Sequence, residues 1–168
     1  MTNVIAKEIT AKLETLFADL DAEVLSATKE WAKGRCAAIK EFKDSKEFRN
    51  DNGFITDQYK YYARLFAIAG GKTWYNILGT HYGDRQEEFI IKNCKVTAEK
   101  RNASIVRKMI KAGVTEVTGQ EYARSKDGFN GFFIINTNEG TKRVSIDTIR
   151  AGGYNIQCLH LRVLVKVK

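Results

Sequence analysis

Cys158 and His160 are the first place to look for catalysis, because a thiol and an imidazole lie two residues apart. In an extended strand they share one face and are separated by about 6.6 Å along it. That separation is too long for the hydrogen bond by which a base activates a thiol. His81 beside Asp84 offers acid–base groups, but no recognisable motif surrounds them. The sequence therefore predicts a non-enzymatic protein. An unrecognised small enzyme ranks third, after the two binding functions given at the end of this section.

Metal and nucleotide chemistry are also poorly supported. Structural zinc requires closely spaced ligand pairs such as C-x-x-C, whereas Cys36, Cys94 and Cys158 are far apart. The sequence GGKT at 70–73 resembles the end of a phosphate-binding loop, but Phe66 occupies the position of the first glycine of that motif. A helix rather than a buried strand is also predicted before it. We expect no metal, no cofactor and no nucleotide hydrolysis.

The net charge of +8 is the strongest functional signal, and the excess lies after residue 33. Residues 98–112 predict an amphipathic helix. Its apolar side is formed by Ile105, Val106, Met109 and Ile110. The cations on the opposite arc are Lys100, Arg101, Arg107, Lys108 and Lys111. This arc is either a surface that binds phosphates or acids, or a solvated helix face.

The last strand, 157–168, is predicted from strict alternation. The apolar members are Leu159, Leu161, Val163, Val165 and Val167, and the basic members of the other face are His160, Arg162, Lys166 and Lys168. Such a strand belongs to a sheet with a core side and a basic, solvated side. We predict that these four basic residues, Arg143 and the five helix cations form the nucleic-acid contacts. No helix-turn-helix or RNP pattern accompanies them, so nonspecific phosphate contact is expected.

The helices that must position these residues can be outlined from apolar spacing. Residues 4–33 predict one long helix, which Gly34 stops or kinks before a continuation over 35–43. Its apolar stripe requires a long partner, either later helices of the chain or a second copy in a homodimer. A loop is predicted over 44–56, followed by a helix over 58–69 whose aromatic residues favour a core over a base-stacking platform. The last helix, 84–113, is expected to break near 96–97, because Lys95 would otherwise lie on its apolar face.

After residue 113 the pattern becomes extended. A weak strand is predicted over 114–124. Asp127-Gly128 and Asn130-Gly131, on either side of Phe129, predict a turn. The apolar run at 132–135 predicts a central strand that is covered on both faces. Asn138-Glu139-Gly140 predicts the next turn, and 141–149 predicts a strand with Val144 and Ile146 inward. A further turn at 151–155 leads into the last strand. The sequence thus predicts a single α+β domain, with a helical layer (1–113) packed on an antiparallel meander of three to four strands (114–168).

Composition and a sequence resemblance indicate the type of protein and its biological context. A chain of 168 residues with 43% hydrophobic and 29% charged residues is typical of a globular protein. We expect a cytoplasmic protein without a membrane span. The block DGFNGFFIINTNEG through AGGYNIQCLHLRVLVKVK is similar to the ends of small uncharacterised bacteriophage proteins. That resemblance implies a phage or prophage protein that binds a host machine.

Two functions follow. The leading hypothesis is a binding protein whose basic surface contacts nucleic acid or a nucleic-acid-handling complex. The alternative is a phage inhibitor or adaptor that binds a host defence protein directly.

Overall fold

The computed structural model describes residues 2–79, 85–125, 128–150 and 161–168. Four helices are followed by four strands, which confirms the predicted α+β class. The helices are α1 (Thr2–Asp44), α2 (Gln58–Ala69), α3 (Lys72–Leu78) and α4 (Gln86–Lys111). The strands are β1 (Val114–Ser125), β2 (Gly128–Thr137), β3 (Gly140–Arg150) and β4 (Leu161–Val167).

The chain divides into two compact units. Unit 1 comprises Met1–Val24 and Cys94–Lys168, and unit 2 comprises Leu25–Asn93. Helices α1 and α4 therefore each contribute one part to unit 1 and the other part to unit 2. The single domain predicted from the sequence stays a prediction, since it concerns whether the two units fold together.

The sheet of unit 1 is an antiparallel meander in the order β1-β2-β3-β4. Strands β2 and β3 are joined by the predicted turn, in which Thr137 pairs with Gly140 across Asn138 and Glu139. Gly140 has a φ of 115°, a conformation that favours glycine. Since β3 is the only described neighbour of β4, β4 forms one edge of the sheet.

The core of unit 1 lies on one face of this sheet. It joins Ile9, Leu13 and Phe17 of α1, Ile105 and Met109 of α4, Phe133 and Ile135 of β2, and Val144 and Ile146 of β3. The prediction that 132–135 is covered on both faces is wrong, because Ile134 is 37% exposed. A continuous apolar run does not reveal that both packing helices contribute to the same side of the strand.

The predicted register of the last strand is confirmed at Val165 and Lys166, whereas Val167, also predicted on the core side, is 36% exposed. Val165 is buried and pairs with Ile146, while the adjacent Lys166 is exposed. The inward orientation of Val144 and Ile146 is confirmed as well. The predicted turn at 151–155 and residues 157–160 of the strand lie outside the described residues.

The turn predicted at Asn130-Gly131 is wrong, because both residues lie inside β2. Gly131 pairs with Tyr122, and a Cβ at this position would lie 2.9 Å from the backbone oxygen of Glu121. The glycine thus permits a close approach between strands rather than a reversal of the chain.

Both long helices are less interrupted than predicted. Helix α1 continues through Gly34 to Asp44, because Ala32 and Ile39 on either side are buried and offset a glycine penalty of about 1 kcal/mol. Helix α4 does not break at 96–97, and Lys95 is exposed. No residue of 91–100 is buried, so the buried apolar face of 98–112 does not extend back to Lys95.

Unit 2 contains a chain of neighbouring aromatic side chains. The predicted helix over 58–69 is confirmed as α2, and Asp57 caps it by accepting a 3.0 Å hydrogen bond from the backbone N–H of Lys60. The aromatic chain runs through Phe42, Tyr61, Tyr62, Phe66 and Tyr75, with ring centroids 5.1 to 6.1 Å apart. Tyr61 belongs to the core, as expected, but Tyr59 is 85% exposed.

The apolar stripe of α1 is covered by the chain itself. Every member of the stripe predicted between Ile5 and Trp31 is buried or half-buried. The homodimer was inferred from an excess of uncovered stripe, so that argument no longer applies. The dimer itself stays a prediction.

Candidate nucleic-acid interface

A cleft of about 390 Å³ lies along the β4 edge of unit 1. Lys108 and Lys111 of α4 and Lys142 of β3 line it, together with Ala112, Val165 and Val167. The Nζ of Lys108 donates a 3.0 Å hydrogen bond to the backbone carbonyl of Val165. Three lysines and three apolar residues therefore line a cleft at the edge of the sheet.

Helix α4 presents its two lysines here because its opposite side is fixed in the core. Ile105 and Met109 are fully buried, which sets the rotation of the helix about its axis. Lys108 and Lys111 lie in its last turn, where cations also interact favourably with the helix dipole. The cleft thus combines the C-terminal end of α4 with an edge strand, and Lys108 bonds the Val165 carbonyl of that strand.

Lys142 reaches the cleft from the β2–β3 hairpin, where it pairs with Ile135. Its Nζ lies 2.6 Å from Glu139 Oε2. That hydrogen bond, followed by the charge of Lys142, lowers the pKa of the Glu139 carboxyl. Lys142 therefore carries a partly compensated charge, whereas no ion pair within the described residues joins Lys108 or Lys111.

Further cations lie on the outer face of the sheet at the same edge. Lys166 and Lys168 are exposed, and Lys168 exchanges two 2.9 Å backbone hydrogen bonds with Arg143 of β3. Because β4 is an edge strand, only its width separates these lysines from the cleft. The β4-edge cations are defined as Lys108, Lys111, Lys142, Lys166 and Lys168.

The arc predicted on α4 is only partly solvent-facing. Lys100 and Arg107 are exposed, and Arg107 Nε bonds the carbonyl of Ala103 at 3.3 Å. Arg101, expected on the same arc, instead points toward the core, where its guanidinium lies 4.0 Å from the ring centroid of Phe17. This orientation is a correction to the predicted arc.

Arg101 is held there by a polar network. Its two terminal nitrogens donate to Asp21 at 2.5 and 3.0 Å, and Nε and one terminal nitrogen donate to the buried Asn102 side chain. Only 9% of the Arg101 side chain is exposed. We therefore assign it a structural role.

The remaining predicted residues are placed as follows. Arg143 is exposed on β3 and lies on the outer face of the sheet. Arg162 belongs to β4, but its side chain is outside the described set, and His81, Cys158 and His160 are outside it entirely. Lys142 is a cleft residue that the sequence analysis did not predict. Alternation assigns it to the inner face of β3 with Val144 and Ile146, and no sequence signal reveals that the C-terminal turn of α4 lies beside it.

Catalytic and metal chemistry gain no support from the described residues. The Cys36 thiol of unit 2 lies 3.6 Å from Gln86 Oε1 and 3.9 Å from the carbonyl of Leu78. Burial raises its pKa, which the Gln86 contact only partly offsets, so the thiol is poorly ionised at neutral pH. Within the described ranges, no group of three His, Cys, Asp or Glu is arranged to hold a metal ion.

Comparison with known proteins gave no significant match to a family model, a curated protein or a solved structure. Among the helices of the described residues, none is long and apolar enough to cross a membrane. The fold and the cleft together describe an α+β protein with several lysines at one edge of its sheet.

Proposed function

We propose that this chain is a non-enzymatic binding protein that holds nucleic acid by its phosphates along the β4-edge cations. One observation carries the proposal: lysines from α4, β3 and β4 converge on both sides of a single edge strand. Phosphate contact requires cations in register with a backbone and no specific base contacts. The exposed Lys100 and Arg107 extend the same charge along α4.

The experiment is a titration of a labelled single-stranded oligonucleotide at several salt concentrations. For single strands, log K falls with log salt by about 0.7 per neutralised phosphate. Replacing Lys108 and Lys111 by Ala should therefore reduce the slope by about 1.4. Replacing the exposed Lys40 and Lys46 of unit 2 removes the same charge and should leave the slope almost unchanged. Equal losses in both double variants would mean that only net charge matters, which contradicts a located site.

The second candidate function is direct binding of a partner protein through unit 2. Its supporting observation is the exposure of Phe54, Tyr59 and Tyr62, of which Phe54 is 70% exposed. Tyrosine is enriched in the energetic centres of protein interfaces. A pulldown from host lysate with and without nuclease separates the two functions. Partners that survive nuclease and disappear with Tyr59→Ala favour protein binding, whereas partners lost with nuclease favour nucleic acid.

The biological setting remains a prediction under either function. The resemblance to bacteriophage proteins would place the chain in the cytoplasm of a host cell. There, nucleic acid, a nucleic-acid-bound complex or a defence enzyme would be its partner.

A further inference from the structure

An aromatic ring lies on the outer face of the sheet, beneath a planar cation. The guanidinium of Arg143 on β3 lies 3.7 Å from the ring centroid of Phe132 on β2. The two residues are diagonal neighbours, since Arg143 pairs with Ile134 and Phe132 pairs with Ser145. An apolar ring on the solvated face is therefore covered by a charged side chain.

Sheet packing does not account for this pair. The core of unit 1 lies on the opposite face, where Phe133 and Val144 are buried. Beside the pair, Ile134 remains 37% exposed. A guanidinium is planar, weakly hydrated and able to stack on aromatic planes. The outward side of Arg143 and the adjoining apolar surface thus provide a place where a further flat ring can stack.

The charges on the two sides of the Arg143–Phe132 pair differ in sign. On the same face, Ser145 lies between Phe132 and Lys166 of β4, so the backbones of Phe132 and Lys166 are two strands, or about 10 Å, apart. On the other side, Glu121 of β1 pairs with Phe132. Asp147, also on the outer face of β3, pairs with Leu164. A bound polyanion is therefore favoured at the Lys166–Lys168 end of β4 and disfavoured over β1, and its uncharged part would point toward Phe132.

We propose that Arg143 and Phe132 form a seat for an unpaired base, so that the nucleic acid held by the β4-edge cations is single-stranded. The inference rests on the proposed function and adds the class of nucleic acid. Bases of a duplex face one another within the helix, whereas single-stranded bases are free to stack on aromatic rings and guanidinium planes. Phosphates would lie along Lys166 and Lys168 while one base covers the guanidinium.

The test compares a labelled thymidine 20-mer with inorganic polyphosphate, a polyanion without bases. Arg143→Lys keeps the charge but removes the plane, and Phe132→Leu keeps an apolar side chain but removes the ring. Each change should lower oligonucleotide affinity by roughly tenfold and leave polyphosphate affinity unchanged. Lys166→Ala, the matched control, should weaken both ligands and reduce the salt slope.

The outcomes separate the two proposals. Unchanged oligonucleotide affinity in Arg143→Lys and Phe132→Leu, with wild-type binding intact, would overturn the base seat alone. Equal losses for oligonucleotide and polyphosphate would also overturn it, because they would show an effect on charge or folding. No binding of either ligand by the wild type would overturn the proposed function, and the seat with it. Arg143 is exposed, so Arg143→Lys remains informative even if Phe132→Leu unfolds.

Discussion

Arg101→Ala should destabilise the protein, although sequence reasoning places this residue among the solvent-facing cations. The change removes four side-chain hydrogen bonds, two to Asp21 and two to Asn102, and the contact over Phe17. Breaking a buried ion pair costs about 3–5 kcal/mol because one charge is left unpaired. Asp21 is 33% exposed and recovers some water, so we expect a loss of about 2–4 kcal/mol. Total stabilities are typically about 5–15 kcal/mol.

Urea denaturation followed by circular dichroism measures this loss. Lys100→Ala is the matched control, since Lys100 is the preceding, exposed residue of α4, and it should change the free energy of unfolding by less than about 0.5 kcal/mol. A double-mutant cycle with Asp21→Asn should give a coupling energy of about 1–3 kcal/mol. If Arg101→Ala is as stable as Lys100→Ala, the network contributes nothing and the structural assignment is refuted.

Three further predictions concern register, thiol chemistry and assembly. Val165→Asp should lower thermal stability by about 3 kcal/mol or more because it buries a carboxylate, whereas Lys166→Asp should have little effect; melting curves in the reverse order would show that the register is wrong. Partial burial and the raised pKa of Cys36 predict slower alkylation by iodoacetamide at pH 8 than in the unfolded chain, with a rate that still increases above pH 9. Peptide mass spectrometry measures the rate, and equal rates in the folded and unfolded chains would contradict this account of the thiol. The homodimer predicted from the sequence is tested by light scattering across a concentration series. A dimeric mass would confirm it, and a monomeric mass at high micromolar concentration would contradict it.

Much of the fold is accessible from sequence because short-range patterns determine it. Alternation predicts the register of β4 at Val165. Thr56 or Asp57 before the aromatic helix predicts a cap, and Asp57 provides it. The errors share a different cause. Gly34, Lys95 and Asn130-Gly131 each carry a local signal for interruption. Burial of neighbouring residues overrides it at Gly34, and close strand contact overrides it at Asn130-Gly131. At Lys95 the signal assumed a buried helix face, and that part of α4 has none.

The candidate site was predictable in part. Charge and alternation identify Lys108, Lys111 and Lys166 as surface cations. They do not identify Lys142, which reaches the cleft only because α4 ends beside β3. They also assign Arg101 incorrectly, since its partner Asp21 lies 80 positions away in sequence. Contacts of that kind are set by tertiary packing and leave no periodic pattern.

The location of the phosphate contacts is the central claim, and lysine footprinting tests it most directly. The protein is acetylated with and without the thymidine 20-mer, and each modified lysine is quantified by mass spectrometry. The account predicts that Lys108, Lys111, Lys166 and Lys168 become protected, while Lys40 and Lys46 of unit 2 react at unchanged rates. Protection of Lys40 and Lys46 with none at the β4 edge, or equal protection at every lysine, would contradict the account.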